Sequence, residues 1–194
     1  MGYQGKRVEK QDGSLLRRIW KDYGYLLVTV AVVLTIFKVL LQLAYVPSGS
    51  METTIPARSL LISWQLPWLV SDQEPERGDV VTFWSDELGK LLVKRVIGLP
   101  GDEITFSGGY AYVNGQKLEE PYLMEPGSTS SPRQEKFRVP EGCLFMMGDN
   151  RVNSLDSRYL TQPYIPISKV QAQVLFCVSP FEENSWRGIR MIAG

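Results

Sequence analysis

Residues 91–115, LLVKRVIGLPGDEITFSGGYAYVNG, contain three short apolar runs separated by turn signals. The three runs are Leu91–Ile97, Glu103–Phe106 and Tyr110–Val113. Gly108-Gly109 marks one turn, and Asn114-Gly115 precedes a further short run, Gln116–Leu118. Asn-Gly between two such runs is a strong β-hairpin signal, because both residues adopt positive φ readily. The stretch therefore predicts consecutive strands joined by tight turns.

The same pattern of short apolar runs extends over most of residues 47–194. Further predicted strands are Ser59–Trp64, Val80–Trp84, Phe137–Val139, Cys143–Met147 and Val170–Val178. No part of this region has a sustained helical period, so we expect an all-β domain. Residues 125–136, EPGSTSSPRQEK, predict a surface loop within a small excursion that covers residues 103–138.

A long apolar segment precedes the β region. Residues 23–46 would span about 36 Å as a helix, which is enough to cross a hydrocarbon core of about 30 Å. Lys38 lies within this segment, and we expect its ammonium to reach the far interface. Residues 1–22 carry six basic and three acidic side chains, which places the N-terminus in the cytoplasm. We expect a cytoplasmic tail at 1–22, a single-pass anchor at 23–45 and an extracytoplasmic domain at 46–194.

Two other interpretations of the apolar segment are a cleaved signal peptide and a buried core helix. The first is disfavoured because the segment is long and no small-x-small site follows it before Pro47. A second apolar patch, Trp64–Val70, is either ordinary core or a surface that dips into the lipid interface, where tryptophan is favoured.

The composition excludes several classes of function. The 194 residues include 21 basic and 21 acidic side chains, so no excess charge points to nucleic acid. The absence of histidine excludes Ser-His-Asp and Cys-His catalysis and any histidine-ligated metal site. The two cysteines, Cys143 and Cys177, lack zinc or thioredoxin spacing and are either free thiols or one disulfide. We expect no metal and no cofactor.

Three segments contain residues that could do chemistry. Residues 46–51, VPSGSM, form either a linker or a loop that offers a serine hydroxyl, which needs a base to act as a nucleophile. Lys94 stands in an otherwise apolar strand, beside Arg95 on the opposite face. The two charges either protect an edge strand from aggregation or include a desolvated lysine that accepts a proton near neutral pH.

The third segment is residues 148–158, GDNRVNSLDSR, after a predicted apolar strand. Its density of Asp, Asn, Gly and Ser is typical of a turn. The nearby Asp and Arg side chains could also knit a rigid loop through charge-assisted hydrogen bonds. A hydroxyl such as that of Ser154 could hold the lysine amine in place.

Four motifs together resemble the bacterial type I signal peptidase (leader peptidase) family. In chain order they are PSGSM at 47–51, RGDVV at 77–81, KRVIGLPGD at 94–102 and GDNRVNSLDSR at 148–158. The resemblance covers residues 23–180 and implies an all-β protease core with a small β cap. The segment at residues 103–138 would be a short version of that cap. Two departures are Thr53, where the family usually has proline, and Val152, where it often has aspartate.

The resemblance also implies roles for individual residues. By motif position, Ser50 is similar to the nucleophile and Lys94 to the general base of a Ser-Lys dyad. Ser48 matches the hydroxyl that joins the Ser50 N–H in the oxyanion hole, and Ser154 matches the hydroxyl that orients the lysine. The residues that match charged groups supporting the site are Arg95, Asp149, Asp156 and Arg158.

The implied substrates are secreted preproteins whose signal peptides carry small residues at positions −1 and −3. The implied surroundings are a lipid bilayer, without nucleic acid. Two alternatives remain open at this stage. One is a related Ser-Lys peptidase of the pilin type, and the other is a membrane-tethered β adaptor that binds peptides but has lost catalysis.

Overall fold

The computed structural model describes residues 12–65, 74–133, 136–179 and 188–192. The chain divides into two compact units, Met1–Val39 and Leu40–Gly194. Most of the apolar patch Trp64–Val70 lies outside the described residues, so its proposed membrane contact stays a prediction.

The first unit contains one α-helix, α1, at Asp12–Leu40. An 18-residue window within Arg17–Leu40 has a mean hydropathy of 2.1, and the side chains of this segment are almost all exposed. An exposed apolar helix of 24 residues fits a single-pass membrane anchor and contradicts the interpretation as a buried core helix. Lys38 lies in the last turn of α1, at the end of the apolar segment.

The predicted helix over residues 23–46 is wrong at its C-terminal end. The helix begins earlier, at Asp12, and residues Leu41–Val46 form a strand, β1. This strand pairs along its whole length with β2, from Leu41 opposite Trp64 to Val46 opposite Ser59. Its apolar residues suit either structure, and pairing with a neighbouring strand decides between them.

The second unit is built on two antiparallel sheets, which confirms the mainly β prediction. The strands are β1 Leu41–Val46, β2 Ser59–Trp64, β3 Val80–Ser85, β4 Lys90–Gly98, β5 Glu103–Ser107, β6 Tyr110–Val113, β7 Gln116–Lys117, β8 Phe137–Arg138, β9 Cys143–Met147, β10 Tyr164–Pro166, β11 Val170–Val178 and β12 Ile189–Met191. A short 3-10 helix, Ile167–Lys169, precedes β11. The eight-stranded sheet has the order β1-β2-β11-β3-β4-β9-β10, and β12 pairs with β11.

The smaller sheet has the order β7-β6-β5-β8 and is formed by residues 103–138. We call this segment the cap. Asn114 and Gly115 have φ angles of 52° and 80° at the β6–β7 hairpin, as expected for an Asn-Gly turn. Residues 125–133 form no strand and are mostly exposed, although Thr129 is buried.

Three apolar clusters hold the second unit together. One of them joins the two sheets through aromatic and aliphatic side chains such as Ile97, Ile104, Phe137 and Phe145. Another lies beneath the loop that carries Ser50 and includes Met51, Ile55 and Cys177. Cys143 and Cys177 are both free thiols, so the disulfide alternative is not realised.

Candidate functional site

The loop after β1 presents Ser50 at the start of a tight turn. The N–H of Glu52 donates to the Gly49 carbonyl at 3.1 Å, and the N–H of Ile55 donates to the Met51 carbonyl at 2.7 Å. Met51 and Ile55 are fully buried in the cluster beneath the loop. The loop is therefore anchored by apolar packing on either side of its turn, and Ser50 stays half-buried at its surface.

Lys94 faces Ser50 from the centre of the large sheet. It lies on β4, between β3 and β9, so the interpretation of Lys94 and Arg95 as charges that protect an edge strand is wrong. The Lys94 side chain is buried, with 3% of its residue surface exposed. Its Nζ lies 2.7 Å from the Ser50 Oγ, which is hydrogen-bond distance.

Burial controls the protonation of Lys94. Removal of the ammonium from water lowers the pKa of Lys94 from 10.5 to about 8, and the carboxylates of Asp156 and Asp149 partly oppose this shift. A lysine with this pKa is neutral in a useful fraction of molecules near neutral pH. The pair can therefore transfer a proton from the Ser50 hydroxyl to the Lys94 amine.

The loop at residues 148–158, here called the catalytic loop, is held by buried charges. Asp156 and Arg158 form an ion pair with two hydrogen bonds, Nε to Oδ1 and Nη2 to Oδ2, each 2.8 Å. The same carboxylate accepts the Gly148 N–H at 2.9 Å. These hydrogen bonds lower the pKa of Asp156 despite its burial, so the carboxylate remains charged.

Asp149 and Arg95 form the second buried ion pair. Arg95 donates from Nε and Nη2 to the two carboxylate oxygens of Asp149 at 2.9 and 2.8 Å. Thr54 donates to the same carboxylate at 2.5 Å, and the ring of Tyr122 lies 4.0 Å from the Arg95 guanidinium carbon. Through Thr54, this pair connects the strand of Lys94 to the loop of Ser50.

Ser48 and Ser154 have the least defined contacts of the expected site residues. Ser48 is exposed, two residues before Ser50. Ser154 is buried beside Gly148, close enough to the Asp156 carboxylate to help lower its pKa. Its Oγ makes no hydrogen bond of good geometry with the described residues, and the structure contains no Ser154–Lys94 bond.

Two residues of the catalytic loop were not assigned roles from the sequence. The N–H of Asn150 donates to the Ser50 carbonyl and its amide nitrogen to the Gly49 carbonyl, both at 3.0 Å. Arg151 pairs with Glu120 of the cap. The expectation of Asp-Arg pairs within the loop therefore holds for Asp156 and Arg158 only, because Asp149 and Arg151 each bind a partner elsewhere in the chain.

The turn behind Ser50 also contains a strained residue. Thr53 has a φ of 85°, which is uncommon for a β-branched residue. Its hydroxyl donates to the Tyr122 carbonyl at 2.6 Å, and Arg190 donates to the Thr53 carbonyl at 2.6 Å. Proline, which the related family usually has here, cannot adopt this φ.

No group of three or more carboxylate or thiol side chains within the described residues could hold a metal ion. The chemistry that the arrangement supports is that of a serine hydroxyl activated by a buried amine. Ser50 is half-exposed to solvent.

The sequence is similar to those of known proteins. Residues 19–179 match the family model described as signal peptidase, peptidase S26. The chain is 34% identical over 171 residues to the signal peptidase I of Bacillus caldolyticus, with 82% of this chain and 91% of the relative covered. It is 34% identical over 163 residues to the probable signal peptidase I-2 of Synechocystis, with 79% and 72% covered.

A crystal structure of a signal peptidase I from Enterococcus faecalis V583 is 32% identical and covers 53% of this chain and 98% of its own, with a TM-score of 0.44. The family match extends over most of α1 and nearly all the described part of the second unit. The resemblance that the four sequence motifs indicate is thereby confirmed. The chain belongs to the signal peptidase family, peptidase S26, and with it to the hydrolases.

Proposed function

We propose that this chain is a membrane-anchored serine endopeptidase that removes N-terminal signal peptides from secreted preproteins. The observation that carries the proposal is the 2.7 Å distance from the Lys94 Nζ to the Ser50 Oγ in a chain of this family. Lys94 is buried in the sheet, and its pKa is lowered to about 8, as a general base requires.

In the first half of the reaction, the neutral Lys94 amine accepts the Ser50 hydroxyl proton. The Ser50 Oγ then attacks the carbonyl carbon of residue −1 and forms a tetrahedral intermediate. We assign the Ser50 N–H and the Ser48 hydroxyl to the oxyanion. One such donor is worth about 3 kcal/mol of transition-state stabilisation. The Lys94 ammonium returns the proton to the leaving amine, and the peptide bond breaks to leave an acyl-enzyme.

In the second half, Lys94 accepts a proton from water, and the resulting hydroxide attacks the acyl carbon. Collapse of this intermediate breaks the ester bond, and the Lys94 ammonium returns a proton to the Ser50 Oγ. The signal peptide leaves with a new carboxylate, and the enzyme is regenerated without a cofactor. Two protons are taken up and returned by one amine, so the cycle needs no other base.

The charged residues around the site act on the reaction by positioning Ser50 and Lys94. Arg95 and Asp149 support the Ser50 loop through Thr54, and Asp156 and Arg158 hold the catalytic loop beside Lys94. In the proposal the Ser154 hydroxyl orients the Lys94 amine, a role that its position in the fourth motif supports. These residues are positioning residues in the proposal, because none of them exchanges a proton with the substrate.

The proposed substrates carry small residues at positions −1 and −3 of the signal peptide. The proposed location is the cytoplasmic membrane, with residues 1–22 in the cytoplasm, the part of α1 from residue 23 onward across the bilayer and the catalytic domain outside. The basic side chains before the apolar segment support this orientation. An anchor of this kind raises the effective concentration of enzyme at membrane-bound preproteins.

The test is cleavage of a purified preprotein by the full chain in detergent, with the cut mapped by mass spectrometry. We expect one cut after the small residue at −1, and near-background rates for Ser50→Ala and Lys94→Ala. Lys90→Ala is the matched control, because Lys90 is exposed on the same strand, and it should cleave normally.

The alternatives predict other results in the same assay. A catalytically silent adaptor would bind the preprotein and leave it intact. A pilin-type peptidase would leave an ordinary signal peptide uncut. Full activity in Lys94→Ala would refute the dyad, whatever the substrate.

A further inference from the structure

Residues 118–130 of the cap contact the catalytic loop at buried arginines. Glu120 and the Thr129 hydroxyl both contact Arg151. The Ser130 carbonyl accepts a hydrogen bond from Arg158 at 2.9 Å. The segment thus contacts charged side chains of the loop that lies beside Ser50. The segment itself belongs to none of the four sequence motifs.

Arg151 donates more hydrogen bonds to the cap than Arg158 does. Its side chain is fully buried, and that of Glu120 is 4% exposed. One guanidinium nitrogen, Nη1, donates to Glu120 at 3.0 Å and to Thr129 at 2.7 Å, and Nη2 donates to the other Glu120 oxygen. The third guanidinium nitrogen, Nε, donates to the Gly148 carbonyl at 3.0 Å. The planar guanidinium of Arg151 therefore connects the cap to the backbone carbonyl of Gly148.

Gly148 is the point where the catalytic loop meets the nucleophile. A Cβ atom at this position would lie 2.4 Å from the Ser50 carbonyl oxygen, so the two backbones are in close contact. The Gly148 N–H is held by Asp156 and its carbonyl by Arg151. Two residues on, the Asn150 N–H donates to the Ser50 carbonyl. A displacement of Gly148 would therefore be transmitted to Ser50.

We propose that Glu120 and Arg151 form a positioning pair through which the cap fixes Gly148, and with it Ser50, relative to Lys94. The proposal rests on the Ser50–Lys94 function proposed above. The cap then has a part in catalysis that involves no contact with the substrate. Misplacement of reacting groups by about 1 Å can lower a rate on the order of a hundredfold, so a small shift suffices.

A purely structural ion pair would behave differently from a positioning pair. Removal of one partner leaves a buried charge unpaired and destabilises the fold in either case. Replacement of both partners by apolar side chains of similar size is often neutral for stability. The double variant Glu120→Leu/Arg151→Met therefore separates the two roles, because it removes the Gly148 hydrogen bond without leaving a buried charge.

The experiment compares kcat and KM of the full chain in detergent on a short signal-like peptide, together with thermal unfolding. We expect the double variant to remain folded, with kcat on the order of ten- to a hundredfold lower and KM nearly unchanged. Arg151→Lys keeps the charge but cannot contact Glu120, Thr129 and Gly148 together, and should also lose kcat. The control, Glu103→Leu/Lys136→Met, removes an exposed cap ion pair and should leave kcat unchanged.

Wild-type kcat in the folded double variant would overturn the positioning role. If the double variant does not fold, Arg151→Lys and Glu120→Gln decide the matter by the same measurement, and wild-type kcat in both overturns it. The dyad is tested separately, since activity in Lys94→Ala would refute the proposed function itself. Dependence on Lys94 with no effect of the pair would refute the positioning role alone.

Discussion

Replacement of Lys94 by methionine should abolish activity and make the protein more stable at neutral pH. Burial lowers the pKa of Lys94 from 10.5 to about 8. At about 1.36 kcal/mol per pH unit, that difference destabilises the folded state by about 3 kcal/mol. Loss of the hydrogen bond to Ser50 offsets about 1 kcal/mol, so we expect a net gain of about 2 kcal/mol.

The pH dependence of this gain has a defined sign. Between about pH 8 and pH 10.5 the unfolded chain holds the Lys94 proton and the folded chain does not. The unfolded state binds more protons there, so wild-type stability rises with pH through this window. The advantage of Lys94→Met over wild type is therefore greatest below about pH 8 and falls as the pH approaches 10.5. Near pH 10.5 only the lost hydrogen bond remains, and the variant should be less stable than wild type by about 1 kcal/mol.

Activity should follow the same protonation. With a pKa of about 8, about one tenth of the Lys94 side chains are neutral at pH 7 and about one hundredth at pH 6. The value of kcat/KM on a short peptide should rise about tenfold per pH unit up to about pH 8 and then level off.

The measurements are urea unfolding followed by tryptophan fluorescence at pH 7, and peptide hydrolysis from pH 5 to pH 9. Lys90→Met is the control, and we expect its stability to stay within about 0.5 kcal/mol of wild type. A Lys94→Met protein less stable than wild type at pH 7 would refute the desolvated lysine. Activity that does not fall between about pH 8 and about pH 5 would instead identify as the base a carboxylate, whose ordinary pKa is about 4.

The remaining predictions test the oxyanion, the close backbone contact, the strained turn and the anchor. Ser48→Ala should lower kcat on the order of a hundredfold with little change in KM, and Ser48→Thr should keep more activity. Gly148→Ala should fold but lose most of its kcat, because the added Cβ would lie 2.4 Å from the Ser50 carbonyl. Thr53→Pro should lower stability by more than about 1 kcal/mol in thermal unfolding, and Thr53→Gly should not, since φ is 85°. A protein of residues 41–194 keeps β1 and should hydrolyse short peptides as wild type does, while it processes membrane-bound preproteins more slowly.

The sequence predicts most of the sheet but not its edges. Runs such as Leu91–Ile97 and Cys143–Met147 are bounded by turn residues, and the structure has strands there. Strand β1 could not be separated from the anchor, because its residues continue the apolar segment without a turn signal. The short strands β10 and β12 are defined by pairing with β9 and β11 and carry too few residues for a local pattern.

The sequence likewise predicts some residues of the site but not all of their partners. The motifs indicate Ser50 and Lys94 by their order in the chain, and the structure brings the two side chains to 2.7 Å. The partners of the buried arginines could not be predicted, because Arg151 binds a glutamate that stands in no motif. An ion pair between residues far apart in the sequence depends on the fold, whereas Asp156 and Arg158, two residues apart, pair within one turn.

The arrangement of charges also explains how a lysine can be a base beside two carboxylates. The carboxylates of Asp156 and Asp149 both raise the pKa of Lys94, and alone they would keep it protonated. Each of them forms an ion pair with an arginine, and Arg158 lowers the pKa of Lys94 in return. The pairs fix the loop without adding net negative charge, so burial determines the pKa of Lys94. With unpaired carboxylates the loop would lose these hydrogen bonds, and the uncompensated negative charge would hold Lys94 as an ammonium.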